Sequence, residues 1–517
     1  MANKTSFGHA LKWAYLMNWG ERGIGAVVTF LLAAILGPKD FGTVAIAMIY
    51  ILFIQMLLDQ GLVAALIQRK DLRPAHVDSV FWLVLSASLA LVAASFGLSR
   101  WWAAANHLPL LVVIISALSI CIPLEGLTVV QQALLQREMN FRSLSVRANV
   151  SVCVGGAVGI GMALTGFGIW ALVGQQISRD IVALALLWKL SHWRPRWHFS
   201  LDSLKELFGF SASNFAAKLG VFANAQADSL LLGLFFGPVA VGLYRFAERI
   251  MNTILTMATS SLQTVSFPEF SRLQDRPAEL RRSLLSCIRL SAIVTFPAMA
   301  GLAATSNLLM GALGPKWADA ADALKLLCAA GLLMSLGQFF GPALQAVGKP
   351  HYLAALTWLQ TVVGCGAAVL VALHLRQAPV WQQTMGIAAI RLTMSILVGI
   401  PLLLFVLPRL CPVSRRDILA TVAPSLAAAG VVFSAVTGLS ALGLTHRWGP
   451  MVGLLLVVPF GAATGGITLY SLDEVLRTIM KNKVFGPFGL WRSRHSSPEL
   501  ASVQDERELS KVSLDAE

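Results

Sequence analysis

Charge is scarce in this chain. Only 13% of its 517 residues are Asp, Glu, Lys or Arg, while 56% are hydrophobic and the mean hydropathy is +0.70. A soluble globular domain carries roughly 25% charged residues, so a soluble fold is excluded. Acid is scarcer than base: 26 Asp and Glu stand against 40 Lys and Arg, for a formal charge of +14. On a soluble protein that excess would raise nucleic-acid binding. Here the basic residues lie between apolar segments, so membrane orientation explains them and no nucleic-acid partner is expected. Cysteine is sparse too. Cys121, Cys153, Cys287, Cys328, Cys365 and Cys411 are scattered, mostly inside apolar segments, and no C-x-x-C occurs. Neither a disulfide framework nor a zinc site can be drawn from them. The nine histidines are dispersed as well, so no metal site, no cofactor and no catalytic residue is expected. An enzyme of sugar chemistry would need a sizeable loop outside the membrane, and the longest loop, about 189–211, is short and basic.

What the chain has in quantity is apolar segments. A helix needs about 20 mostly apolar residues to cross the hydrocarbon core. Fourteen segments qualify: 13–36, 41–65, 79–99, 108–130, 145–165, 168–190, 212–236, 241–263, 288–311, 323–346, 352–374, 383–407, 417–441 and 450–471. The first carries Glu21 and Arg22, unlike a cleavable signal, and is expected to stay as a span. Lys and Arg favour cytoplasmic loops. They collect in alternate loops, for example Arg69, Lys70 and Arg73, then Arg137, Arg142 and Arg147, then Arg272, Arg276, Arg281 and Arg282. This alternation predicts a multi-pass protein with both termini in the cytoplasm. Residues 484–517, with Ser496-Ser497-Pro498 and mixed charge, read as a disordered cytoplasmic tail.

The chain also repeats itself. FLLAAILGPKDFGTVAIA at 30–47 and LLLGLFFGPVAVGLYRFA at 230–247 share a G-P-x-x-x-G turn between two spans, 200 positions apart. Downstream, IQRKDLRPA and SRLQDRPA correspond in the same register. A repeat of six spans keeps both copies the same way up, and transporters with such parallel repeats place the substrate between their halves. The expected architecture is all-α: residues 1–12 as a cytoplasmic N-terminus, 13–190 as one lobe of six spans, and 191–211 as an inter-lobe loop. A second lobe of six spans follows at 212–407, and two additional spans occupy 417–471.

Ionisable residues inside spans are costly and usually face a cavity or a partner. At about 100° per residue, Arg245, Glu248, Arg249, Asn252, Thr256, Thr259 and Gln263 form one polar stripe on the eighth span. Asn214, Lys218, Asn224 and Asp228 form another on the seventh, and Asn18, Glu21, Arg22, Gly25 and Thr29 a third on the first. These stripes are expected to line one aqueous cavity, with Arg22, Lys218, Arg245, Arg249, Asn214 and Asn252 as candidates for contact with substrate. Glu21, Asp59, Glu125, Asp228 and Glu248 are candidates for ion coupling. A plainer reading stays open: Arg245, Glu248 and Arg249 could be a neutralised cluster that snorkels to the interface, and Arg22 and Lys218 could pair with Glu21 and Asp228. Arg179, Arg289, Lys325 and Arg391, near span ends or beside polar residues, read as structural. Cationic side chains in a wide cavity suit an anionic cargo, because Arg binds phosphate oxygens bidentately.

LGPKDFGTVAIA, the Asp59-Gln60-Gly61-Leu62 turn with AALIQRKDL and HVDSVFWL after it, PLEGLTVVQQALLQREMNFRSLSVR, SLLLGLFFGPVAVGLYRFAERI and SFPEFSRLQD resemble the polysaccharide transport family. These are the Wzx-type, more narrowly WzxC-like, flippases of the multidrug/oligosaccharidyl-lipid/polysaccharide exporter superfamily. The resemblance covers residues 8–350 and more loosely extends to 475. It implies a V-shaped, two-lobed transporter of the bacterial inner membrane. Its cargo would be a polyprenyl-diphosphate-linked oligosaccharide, carried to the periplasmic leaflet beside membrane lipid, with a polymerase and a chain-length regulator as partners. Related lipid II flippases use cavity arginines on their first and eighth spans, which fall by span number on Arg22 and on Arg245 or Arg249. The same superfamily holds multidrug/cation antiporters, the alternative reading.

Overall fold

The computed structural model describes residues 4–58, 66–67, 69, 71–201, 211–411, 413–441, 449–473 and 477. Among them the chain is helical throughout: α1 Lys4–Ile35, α2 Pro38–Leu58, α3 Pro74–Ala105, α4 Leu110–Arg137, α5 Phe141–Leu164, α6 Trp170–Leu190 and α7 Ser211–Phe236. There follow α8 Pro238–Arg272, α9 Pro277–Leu313, α10 Ala320–Ala346, α11 Pro350–His374, α12 Val380–Arg409, α13 Arg415–Ala441 and α14 Gly449–Leu472. Each expected span overlaps one of these helices, residues 59–65 of the second lying outside the described residues. Eleven of them contain a stretch long and apolar enough to cross a membrane. The other three, α1, α6 and α8, have 32, 21 and 35 residues, so length is not what they lack. They carry polar residues in mid-helix, and all three border the cavity described below.

Proline opens α2, α3, α8, α9 and α11, where its missing N–H leaves no extra carbonyl unpaired and its fixed φ suits the first helical position. Gly237 enters α8 at φ 85°, a conformation that a side chain would strain. The apolar run at 108–130 reads as one span, but α4 is built in three pieces, Leu110–Leu118, Cys121–Gly126 and Val129–Arg137. Pro123 has no N–H for the Ser119 carbonyl, which instead accepts a tighter bond from the Ile122 amide at 3.1 Å. α9 begins well before the expected residue 288. Its first turns are polar, and Arg281 there pairs with Asp417 of α13 at 2.7 Å.

Glycines set how closely the helices near the cavity approach. On α5, a Cβ at Gly155 would lie 2.8 Å from the Arg179 Cβ, and one at Gly159 2.8 Å from the Gln175 Cβ. A Cβ at Gly156 would collide with Val28 of α1. Small residues at such spacing let membrane helices pack backbone to backbone, so α5 draws α1 and α6 together. α13 and α14 pack on α9, with Val432, Val436 and Val457 buried against Ala304 and Leu308. Elsewhere large apolar side chains such as Val27, Trp101, Leu164, Leu455 and Ile467 point outward, as lipid-facing positions do.

The described part of the inter-lobe loop, 191–201, is strapped to the start of α3. The Arg196 amide donates to Asp78 Oδ1 at 3.2 Å, the Trp82 indole to the Arg196 carbonyl at 2.8 Å, and the Ser200 amide to Ser79 Oγ at 2.9 Å. Trp197 stacks on Trp82 with ring centroids 4.2 Å apart. The tail from 484 lies outside the described residues.

Candidate functional site: a basic cavity between two helix groups

A cavity of about 620 Å³ opens between α1, α2, α5, α6 and α8. Helical periodicity decides what faces it. Glu21, Arg22, Gly25 and Thr29 come from α1, Gln175, Gln176 and Arg179 from α6, and Arg245, Glu248, Arg249 and Asn252 from α8. Within each set residues recur at three or four positions, the spacing that shares one helix face.

The roof is built by the repeated G-P-x-x-x-G turns. α2 and α8 cross there so tightly that a Cβ on Gly42 would collide with the Pro238 carbonyl, and one on Gly242 with the Pro38 carbonyl. The correspondence extends to the backbone, where Phe41 N donates to Gly37 O and Val241 N to Gly237 O, each at 3.3 Å. Phe41, Phe246 and Trp317 cluster beside the crossing, with centroids 5.5 Å apart for Phe41–Trp317 and 4.5 Å for Phe246–Trp317. The Trp317 indole donates to the Ala33 carbonyl at 2.8 Å, and Lys316 Nζ to the Ile35 carbonyl at 3.0 Å. Phe41 and Phe246 also belong to the cavity wall, so an aromatic lid closes this end.

Four arginines and two glutamates line the space, leaving two positive charges in excess. Their pairing shows where that excess sits. Arg179 binds Glu21 at 2.6 Å. Arg245 binds Glu248 at 3.1 Å, and Glu248 is shared with Arg391 of α12 at 3.3 Å. Arg22 donates to the neutral Thr256 hydroxyl at 3.0 Å. Among the described residues, neither Arg22 nor Arg249 has a carboxylate within ion-pair distance. Gly25 stands opposite Arg249, and a Cβ there would be 4.0 Å from its Nη2. The arrangement offers two guanidinium groups with their fork of donors unsatisfied by protein charge.

The structure thus brings Arg22, Arg245, Arg249, Asn252, Glu21 and Glu248 together in one cavity. It separates others. Asn224 and Asp228 of α7 line a second cavity of about 120 Å³ with Arg391, so this described part of the seventh-span stripe does not line the main cavity with the other two stripes. α7 packs Asn224 against α11, where its amide donates to Thr361 Oγ1 at 2.9 Å, and this turns the face toward α11 and α12. Asn214 and Lys218 lie on α7, but their side chains are outside what the structure describes, and Asp59 is outside the described residues. Glu125 of α4 is exposed and borders neither cavity. The lower part of the α8 stripe also turns away from the main cavity, since Thr259 is buried and Gln263 donates to Gln338 of α10.

Two residues that read as structural belong to this chemistry. Arg179 sits mid-helix rather than near a span end, and Gln175 and Gln176 one turn before it were the available signal. Arg391 reaches Asp228 at 2.6 Å, where the Tyr244 hydroxyl also donates at 2.6 Å. A pairing between helices 163 positions apart leaves no mark on local periodicity.

Fold and cavity define a polytopic α-helical membrane protein with a basic chamber between two groups of helices. Residues 31–322 match the family model described as polysaccharide biosynthesis protein, and the chain belongs to that family. Among its relatives, the succinoglycan biosynthesis transport protein ExoT of Rhizobium meliloti is 29% identical over 71% of this chain and 75% of its own length. The lipopolysaccharide biosynthesis protein WzxC of Escherichia coli is 26% identical over 65% and 69%. Of solved structures, the lipid II flippase MurJ in an inward closed conformation superposes with a TM-score of 0.69 over 88% of this chain and 97% of its own, at 13% identity. An inward-facing multidrug resistance transporter of the MATE family gives 0.58 over 73% and 93%, at 16% identity. At such identities the structural likeness concerns the fold alone.

Proposed function

We propose that this protein carries an anionic, polyprenyl-diphosphate-linked oligosaccharide across the bacterial inner membrane, from the cytoplasmic to the periplasmic leaflet, for polysaccharide assembly. The observation that carries this reading is the pair of guanidinium groups, Arg22 and Arg249, that face the cavity without a carboxylate partner among the described residues. Both guanidiniums are open to the chamber and free to meet a ligand, and a diphosphate presents the oxygens that a guanidinium fork matches. The relatives' names, transport and biosynthesis of polysaccharides, point the same way.

In this reading α1–α6 and α7–α12 are the two lobes, and the Gly42–Gly242 crossing with its aromatic lid is the periplasmic gate, closed here. Alternating access separates α2 from α8 and opens the chamber to the other side, with α13 and α14 beside the second lobe. Both termini lie in the cytoplasm, and a polymerase and a chain-length regulator take up the product. Drug/cation antiport, the alternative within the superfamily, is disfavoured by a chamber whose charge repels cations.

The test is export of surface polysaccharide in a deletion strain complemented with wild type, Arg249→Ala or Arg249→Lys, at matched membrane levels. Loss on deletion, with restoration by wild type alone, supports the lipid-linked cargo and the role of Arg249. Unchanged export on deletion sinks the reading and leaves antiport, to be assayed as drug efflux. Restoration by both variants removes Arg249 from the site.

A further inference from the structure

Four charged side chains form a chain that leads out of the main cavity: Arg245, Glu248, Arg391 and Asp228. Arg245 faces the cavity and gives Nη1 to one oxygen of Glu248 at 3.1 Å. The other Glu248 oxygen lies 3.3 Å from Arg391 Nη1, and that same nitrogen is 2.6 Å from Asp228. Glu248 is the most enclosed of the four, with its side chain 6% exposed against 27% for Arg245. Two guanidiniums balance two carboxylates, so the chain is neutral as it stands.

The balance is lopsided in one useful way. Arg391 touches both carboxylates, whereas Arg245 touches only Glu248. When Arg245 turns toward an anion in the cavity, Glu248 keeps a cation beside it. Without Arg391, Arg245 would be the only cation of the chain, and the buried Glu248 would hold it. An uncompensated buried carboxylate binds the nearest guanidinium firmly, at the expense of any ligand.

We propose that Arg391 is a positioning residue for cargo capture: by holding Glu248 and Asp228 it frees Arg245 to exchange its carboxylate for an anionic group in the cavity. This rests on the anion-binding reading of the chamber. Arg391 itself does not meet the cargo. It lines the separate 120 Å³ cavity, beside Asn224 and Thr361.

The experiment is binding of farnesyl diphosphate to the purified full-length protein in detergent, followed by calorimetry, with folding checked by thermal denaturation. Arg391→Gln is expected to weaken binding about tenfold and Arg391→Lys to recover most of it. In an Arg245→Gln background the Arg391→Gln effect is expected to shrink below about twofold, because the group it acts through is gone. Glu248→Gln, which leaves Arg391 paired with Asp228, is expected to tighten binding about threefold, and it carries the test should Arg391→Gln not fold. A merely structural role would not produce that gain. An undiminished Arg391→Gln effect in the Arg245→Gln background overturns the proposal, as does weaker binding by Glu248→Gln. Failure of the underlying reading looks different: wild type does not bind the probe, or Arg249→Gln binds it as well as wild type, and the proposal falls with it.

Discussion

On the α1–α6 side of the chamber, Glu21 and Arg179 form a pair whose side chains are 33% and 40% exposed. On the α7–α12 side, Asp228 and Arg391 are 19% and 17% exposed, and Glu248, bridging Arg391 and Arg245, only 6%. The first pair stands in the wet wall of the cavity. The second group is more enclosed, reaching the main cavity at Arg245 and Glu248 and the smaller one at Arg391 and Asp228. The contrast teaches that an arginine in a span is not one kind of thing: some serve the chamber, and some keep other charges tolerable. At the roof the two sides are instead equivalent, each presenting a glycine to the other's proline carbonyl.

The roof allows the largest test of that equivalence. Gly42→Ala and Gly242→Ala are each expected to abolish polysaccharide export, because either Cβ meets a carbonyl that belongs to the opposing helix. Gly25→Ala, whose Cβ would meet Arg249 only at an ordinary contact distance of 4.0 Å, is expected to retain most of it. If Gly42→Ala and Gly242→Ala differ widely at equal membrane levels, the two sides are not equivalent. The ion pairs come next. Asp228→Asn leaves Arg391 enclosed with less counter-charge, and a loss of about 3 kcal/mol is expected from breaking such a pair, read as a lower melting temperature in detergent. Glu21→Gln, in the wet wall, is expected to lower stability by about 1 kcal/mol or less. Equal losses would erase the distinction between the two sides. Smallest of all, Asp322→Asn removes the exposed one-turn pair with Lys325 at 2.7 Å, and no measurable change in melting temperature is expected.

Much of the fold was legible because lipid demands long apolar runs, and those runs stand out against loops holding most of the charge. The cavity-facing residues of α1 and α8 were legible for a related reason: Glu21 and Arg22 interrupt an apolar pattern, and Arg245, Glu248 and Arg249 do so at one-turn spacing. Arg179 read as structural because polar residues stand beside it, and its place in the cavity wall, paired with Glu21, depends on a helix 158 positions away. The role of Arg391 was hidden entirely, since Asp228 and Glu248 reach it from two other helices. The break in α4 could have been foreseen from Pro123, but its three-part path depends on packing against α3, α5 and α6. For Asn224 and Asp228 the polar face was evident and its direction was not, because helical periodicity fixes which residues share a face but not which neighbour that face meets.

The polarity of α1, α6 and α8 also bears on how the chain is made. Glu21 leaves the ribosome 158 residues before its partner Arg179, and Arg22 leaves 234 residues before Thr256. A charged side chain stranded at the centre of a lone helix costs about 2.5–3.5 kcal/mol during translocon-mediated entry into the bilayer. α1, like α6, lacks a stretch apolar enough to span by composition, and the Glu21–Arg179 pair forms only when α6 arrives. The residues that make the chamber basic thus also tie the settling of the first helix synthesised to partners made much later.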